Sequence, residues 1–165
     1  MPELLAPTVR LHRAWLEVHA EWGPGLHEDG FGLSAAASAE VGSPAGFAAW
    51  VTELTQGCAV YRWLVEGGQV LGGIALRSGP AEYVRWAGHI GFGIRPSARG
   101  RGLGSWALRQ MLDEARSRGL SRVLLVCAAE NLASAKTIEH AGGVLEELRQ
   151  TDHGPVRRYW ISLSA

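Results

Sequence analysis

The stretch "IRPSARGRGLGSWALRQ", Ile94 to Gln110, decides how this chain is read. Between Arg99 and Gly104 it holds three glycines, two arginines and one aliphatic side chain. Glycine loses more conformational freedom on folding than any other residue, so so bare a run points to a backbone that something approaches closely. "GHIGFGI" (88–94) precedes it and alternates Gly or His with apolar residues, as a strand does. After Gly104 a helix is expected, with Trp106, Leu108, Met111, Leu112 and Ala115 inward. A helix N-terminus offers unpaired N–H groups and a partial positive charge, which together favour phosphate. No Lys-Ser or Lys-Thr follows, so the loop is not that of a nucleotide hydrolase. It also lacks the G-x-G-x-x-G order and N-terminal βαβ setting of a dinucleotide fold. On the glycines alone, a phosphate cradle and a ligand-free turn both remain open.

Working outward, Thr8 caps a helix whose apolar stripe is Leu11, Trp15 and Val18. Gly23–Pro44 is a Gly/Ser/Ala-rich loop, and Ser43-Pro44 opens a second helix that stops at Gly57. Glu66-Gly67-Gly68 joins two strands as a hairpin. "SRVLLVC" (121–127) is a continuously apolar strand of the kind buried on both faces. Asn131 caps a helix ending at Gly142-Gly143, and two strands around Asp152-His153-Gly154 close the chain. With a short first strand at Glu3–Leu5, the order predicts a mixed sheet with helices on both faces.

The whole chain bounds the answer further. At 165 residues and 47% hydrophobic it is expected to form one domain, 1–165, burying roughly 70% of the surface its unfolded chain exposes. No apolar run approaches a membrane span, and the N-terminus lacks the pattern of a signal peptide. Cys58 and Cys127 have no metal-type spacing, nor do His12, His19 and His27, so no metal is expected and a reduced, cytoplasmic setting fits. The formal net charge of zero argues against a nucleic-acid-binding protein. The charge is unevenly placed: residues 1–60 hold seven acids against Arg10 and Arg13, while 94–122 hold seven arginines against Asp113 and Glu114. Two oppositely charged ligands, or an unevenly charged solvated surface, fit that pattern equally.

Arg99-x-x-Gly102-x-Gly104 resembles the R/Q-x-x-G-x-G/A signature of the GNAT superfamily of acyl-CoA-dependent N-acyltransferases. The likeness runs back through "GFGIRPSARGRGLG" and forward through "SRVLLVCAAENLASAKTIEHAGG". With the ending "RRYWI" it is similar to a subgroup of bacterial predicted acetyltransferases. The resemblance implies an α/β (α+β) fold: a mixed, mostly antiparallel sheet of about six to seven strands whose splayed central strands bind acetyl-CoA. It implies that N–H groups from Gly100 through Arg101, Gly102, Leu103 and Gly104 to Ser105 cradle the pyrophosphate. Arg99 and Arg101 are implied phosphate contacts. Phe92, Gly93 and Ile94 would pair with the pantetheine arm, the Phe92 N–H polarising the thioester carbonyl, and Asn131 would contact the arm or simply cap its helix.

The implied reaction is direct attack of an amine on the thioester, giving an acetyl-CoA-dependent N-acetyltransferase of a small molecule or a protein. Family members often carry a glutamate on the strand before the loop; here His89 is the titratable residue there and the candidate general base, with Glu82 and Tyr83 upstream. The family's usual tyrosine acid falls on Ile138, which leaves solvent, Tyr159 or Cys127 as proton sources. The acceptor side would be formed by residues 10–57 and the hairpin around Arg149–Arg158. There Trp15, Trp22 and Trp50 either hold a cationic amine or fill the core. The alternative function is a CoA-binding sensor or scaffold module without turnover. No membrane or nucleic-acid partner is expected, and the chain is read as a monomer or homodimer.

Overall fold

Gly67 and Gly68 turn the chain at φ of 59° and 79°, a left-handed conformation that side-chain-bearing residues rarely adopt. They join β2 (Val60–Glu66) to β3 (Gln69–Leu76) as the expected antiparallel hairpin. A computed structural model of the protein describes residues 1–22, 40–78, 81–152 and 154–163. Most of the expected Gly23–Pro44 loop, His27, His153 and the side chains of Glu82 and Tyr83 lie outside the described residues.

The hairpin belongs to a seven-stranded sheet with β1 (Glu3–Leu5), β4 (Ile90–Ile94), β5 (Arg122–Ala128), β6 (Val144–Thr151) and β7 (Gly154–Ser162). The strand order is β1-β2-β3-β4-β5-β7-β6. Every neighbouring pair is antiparallel except β4 and β5, which run parallel. A parallel pair needs a crossover, and α4, Leu103–Ser117, supplies it. This is the mixed, mostly antiparallel sheet the sequence implies.

Helices cover both faces. On one face α4 and α5 (Leu132–His140) set Leu108, Met111 and Ile138 against Ile74, Ile90, Leu125 and Tyr159. Within α4 Ala107, Leu108 and Ala115 are fully buried, whereas Trp106 packs only partly against this core. On the other face α1 (His12–Trp22) and α2 (Pro44–Gln56) bring Trp15, Phe47 and Trp50 onto Trp63, Val65 and Val70. Thr8 precedes α1 through a short 3₁₀ turn and Ser43 caps α2, its hydroxyl accepting the Gly46 N–H at 3.0 Å. Trp15 is 0% and Trp50 3% exposed, so these tryptophans are core and each contributes roughly 2–3 kcal/mol by burial. They are therefore not available to hold a cationic acceptor.

One element departs from the expected order. Residues Ala81–Ala87 form a short helix, α3, between β3 and β4. Seven residues carry too few turns for an apolar stripe to show in sequence. The helix ends at Gly88, where φ is +83° and an added Cβ would lie 2.8 Å from the Leu124 carbonyl oxygen. Only glycine lets the chain pass that close to β5.

Candidate active site: a wedge between the central strands

The register of β4 on β5 holds one residue pair, Ile90 with Leu125. Beyond it the two strands part. His89 fastens the closed end. Its backbone N–H donates to the Leu124 carbonyl at 2.7 Å, and its ring Nδ1 accepts the Leu124 N–H at 2.9 Å. Strand alternation then sets what the open end presents. Arg95 donates its N–H to Leu71 on β3 at 2.8 Å, so Gly91 and Gly93 also address β3. Ile90, Phe92 and Ile94 address the β5 side. Ile90 pairs there, the Ile94 carbonyl accepts Arg99 Nε at 2.8 Å, and Phe92 points its N–H and C=O into the wedge.

The wedge opens onto the N-terminus of α4. Gly100 and Gly102 have φ of 80° and 76°, and a Cβ at either would meet nothing within 4 Å. Trp106 makes the first intrahelical bond, donating to the Gly102 carbonyl at 3.0 Å. The N–H groups of Leu103, Gly104 and Ser105 precede it and have no carbonyl within the helix to pair with. No side chain caps the helix at Gly102, and no acidic residue stands in its first turn. An open groove of about 310 Å³ lies over these groups. It fits an extended anion. Ten of the eleven residues expected to bind the cofactor line it, from Phe92 through the glycine loop to Asn131. Arg101 does not: its guanidinium pairs with Glu66 at 2.7 Å. Asn131 caps α5, accepting the Ser134 N–H at 3.2 Å, and faces the groove as well.

A second chamber of about 180 Å³ shares Phe92, Asn131 and Ser134 with the first and ends at Ile90, Leu125, Cys127 and Ile138. The two adjoin at those shared residues, one over the bare helix end and the other toward the fastened end of the wedge, and together they are called the passage. The sequence reading missed Ser134 and Thr137 in its walls. Their signal was helical spacing: Ser134 stands three residues beyond Asn131 and Thr137 three beyond Ser134, neighbours on the surface of α5.

A model of the acetyltransferase (GNAT) family matches residues 15–142. The chain belongs to the GNAT acetyltransferase family. A search of curated proteins finds no match. Among solved structures, the microcin C7 self-immunity acetyltransferase MccE in complex with acetyl-CoA and AMP is 14% identical, with a TM-score of 0.74 over 98% of this chain and 92% of that one. The Salmonella typhimurium acetyltransferase that modifies the N-terminal serine of ribosomal protein L7/L12 is 17% identical, with a TM-score of 0.73 over 99% and 95%. The Salmonella typhimurium protein yncA, a putative acetyltransferase with its cofactor acetyl-CoA, is 17% identical, with a TM-score of 0.68 over 99% and 94%. At these identities the likeness is one of fold.

Within this GNAT chain the candidate proton carriers are placed unevenly. His89 does not line the passage, and the lone pair a base would use is committed to Leu124. Burial, and then the nearby Arg122 cation, hold its pKa below the usual imidazole value. Tyr159 is fully buried and donates its hydroxyl to Glu139 Oε2 at 2.6 Å; burial and that carboxylate push its pKa up. Cys127 does line the chamber, and burial raises its thiol pKa, so it stays protonated at neutral pH. Among the described residues no carboxylate or imidazole lines either chamber.

Glu21, near the end of α1, is a residue the sequence reading counted only as an acid. Its carboxylate accepts Arg95 Nε and Nη2 at 3.0 and 2.7 Å and the Ser97 N–H and hydroxyl at 2.7 and 2.8 Å. Arg95 and Ser97 bring its pKa down to about 2. The clasp ties α1 to the segment leading into the glycine loop. No group of three or more potential metal ligands occurs among the described residues, and none of their helices is long and apolar enough to cross a membrane.

Proposed function

We propose that this GNAT protein transfers the acetyl group of acetyl-CoA to a primary amine of a small molecule or a protein. The observation that carries the reading is the uncapped, acid-free N-terminus of α4 under one chamber and, adjoining it, a wedge into which Phe92 points its N–H. The N–H groups from Gly100 to Ser105 hold the pyrophosphate, with Arg99 beside them. The β4 edge at Phe92 and Ile94 pairs with the pantetheine arm as an added strand would. The Phe92 N–H then polarises the thioester carbonyl, a single-donor oxyanion site worth roughly 3 kcal/mol.

The amine nitrogen attacks that carbonyl carbon, the tetrahedral adduct collapses, the C–S bond breaks, and CoA leaves as its thiolate. An alkylammonium of pKa about 10.4 must first lose a proton, at roughly 4–5 kcal/mol near pH 7. With no base lining the passage among the described residues, water carries that proton away; as the adduct collapses its nitrogen gives up a second proton, which water passes to the thiolate, so one proton is released for each acetyl group transferred. His89 serves as the fastening of the wedge.

The same lack of a lining base favours one alternative, a module that binds CoA without turnover. Thiol release separates the two. Acetyl-CoA is incubated with the protein and a panel of primary amines, including peptides with free N-termini, and free CoA is read with a thiol reagent. Amine-dependent release supports the transferase; binding with no release across the panel favours the module.

A further inference from the structure

The inner chamber of the wedge has its own dimensions. It ends where Ile90 and Leu125 pair, and Ile138 closes it from α5; each of the three is 1% exposed. Ile138 has no room to recede. Gly143 stands behind it, and a Cβ built there would come within 2.5 Å of Ile138 Cγ2 and 2.8 Å of its carbonyl oxygen. The opposite wall is equally fixed, because His89 holds β4 to β5 through both Leu124 backbone groups. The inner end is thus apolar and rigid.

We infer that this end gauges the acyl chain and that Ile138 sets its length. The inference rests on the acetyl-CoA site proposed above. A volume of about 180 Å³ is close to that of an apolar cavity of roughly 150 Å³ that takes up benzene, a molecule of about six non-hydrogen atoms. An acetyl thioester supplies that number: the sulfur, the carbonyl carbon and oxygen, the methyl, and the two methylenes next to the sulfur. Each further methylene meets Ile90, Leu125 or Ile138. Close-packed walls do not yield to an added carbon without strain, so the chamber discriminates at its far end. The position that carries the family's usual tyrosine has an apolar wall in its place. Shortening Ile138 to alanine removes about three carbons' worth of wall, so the preferred chain lengthens by a similar amount.

The test is a calorimetric ladder on the full chain with CoA, acetyl-CoA, propionyl-CoA, butyryl-CoA and hexanoyl-CoA, without an amine so that nothing turns over. Wild type is expected to bind CoA and acetyl-CoA, and to bind hexanoyl-CoA about tenfold or more weakly than acetyl-CoA. In Ile138→Ala the ratio of hexanoyl to acetyl affinity rises about tenfold while CoA binding is unchanged. Should Ile138→Ala fail to fold, Ile138→Val removes one methyl and is expected to shift the ladder toward propionyl-CoA. A flat ladder on wild type that still binds CoA overturns the gauge and leaves the proposed site standing. A ladder unmoved in a folded Ile138 variant assigns the limit elsewhere and overturns the role of Ile138. Failure of CoA itself to bind overturns the site, and the gauge with it.

Discussion

His89 bonds both backbone groups of Leu124: its N–H meets the Leu124 carbonyl at 2.7 Å and its Nδ1 takes the Leu124 N–H at 2.9 Å. One residue thereby closes the wedge that the rest of the passage requires to be open. The ring fulfils this role only when neutral, because Nδ1 must accept.

A pH dependence follows for stability. Burial, then Arg122, lowers the folded pKa of His89 below 6.5, while the unfolded chain keeps the ordinary value. The neutral ring's contribution is therefore complete above about pH 6.5 and is lost as pH falls below it. His89→Ala is expected to lose about 1–3 kcal/mol at pH 7.5, leaving the Leu124 N–H unpaired, and to lose less relative to wild type at pH 5.5. Urea denaturation at both pH values checks this. In His89→Gln the pH profile of kcat/KM should keep its shape; loss of a limb would make His89 the base after all.

Glu21 predicts a second, more acidic window. Its carboxyl titrates near 2 in the folded chain and near 4.5 when unfolded, so its contribution is present above about pH 4.5 and is lost as pH falls toward 2. Glu21→Gln is expected to cost about 2 kcal/mol at pH 7 through its bonds to Arg95 and Ser97. The gap to wild type should shrink between pH 4.5 and 2, as read by denaturation midpoints.

Two glycines beside the passage are expected to respond oppositely to alanine. At Gly72 a Cβ would stand 2.3 Å from the Gly93 carbonyl oxygen, so Gly72→Ala forces β3 from β4 and costs about 2–3 kcal/mol. At Gly104 the Cβ would lie 3.5 Å from the Phe92 ring, an ordinary contact within a helix. Gly104→Ala is expected to gain about 0.5–1 kcal/mol and to keep acetyl-CoA binding. Thermal melts of both variants decide it.

The cysteines report on the passage directly. Cys58 is exposed, whereas Cys127 lies in the chamber with its thiol pKa raised by burial. Iodoacetamide is expected to modify Cys58 first and Cys127 about tenfold or more slowly. Saturating acetyl-CoA should protect Cys127 and leave Cys58 unchanged, as peptide mass mapping would show.

Local chemistry made much of this fold legible in the sequence. Gly67-Gly68, Ser43-Pro44 and Asn131 each specify a turn or cap within three or four residues, and the structure places an element boundary at each. The glycine loop was legible for the same reason, since its positive φ angles are local needs. What stayed hidden depends on residues far apart in the chain. The parting of β4 from β5 after Ile90 is a relation between two strands, and the bond of Arg95 to Glu21 spans 74 positions. His89 was visible as a titratable residue of the right type, but the direction of its lone pair is set by Leu124. The tryptophans were ambiguous because burial is a tertiary outcome.

The central claim is that the bare N-terminus of α4 receives the pyrophosphate of acetyl-CoA. Calorimetric titration of acetyl-CoA into wild type, Gly102→Ala and Gly102→Glu tests it most directly. The alanine imposes only the strain of φ +76°, about 1–2 kcal/mol, while glutamate adds an anion and a side chain in the groove. Wild type is expected to bind in the micromolar range, Gly102→Ala more weakly, and a folded Gly102→Glu not at all. Undiminished binding by a folded Gly102→Glu, or none by wild type, would contradict it.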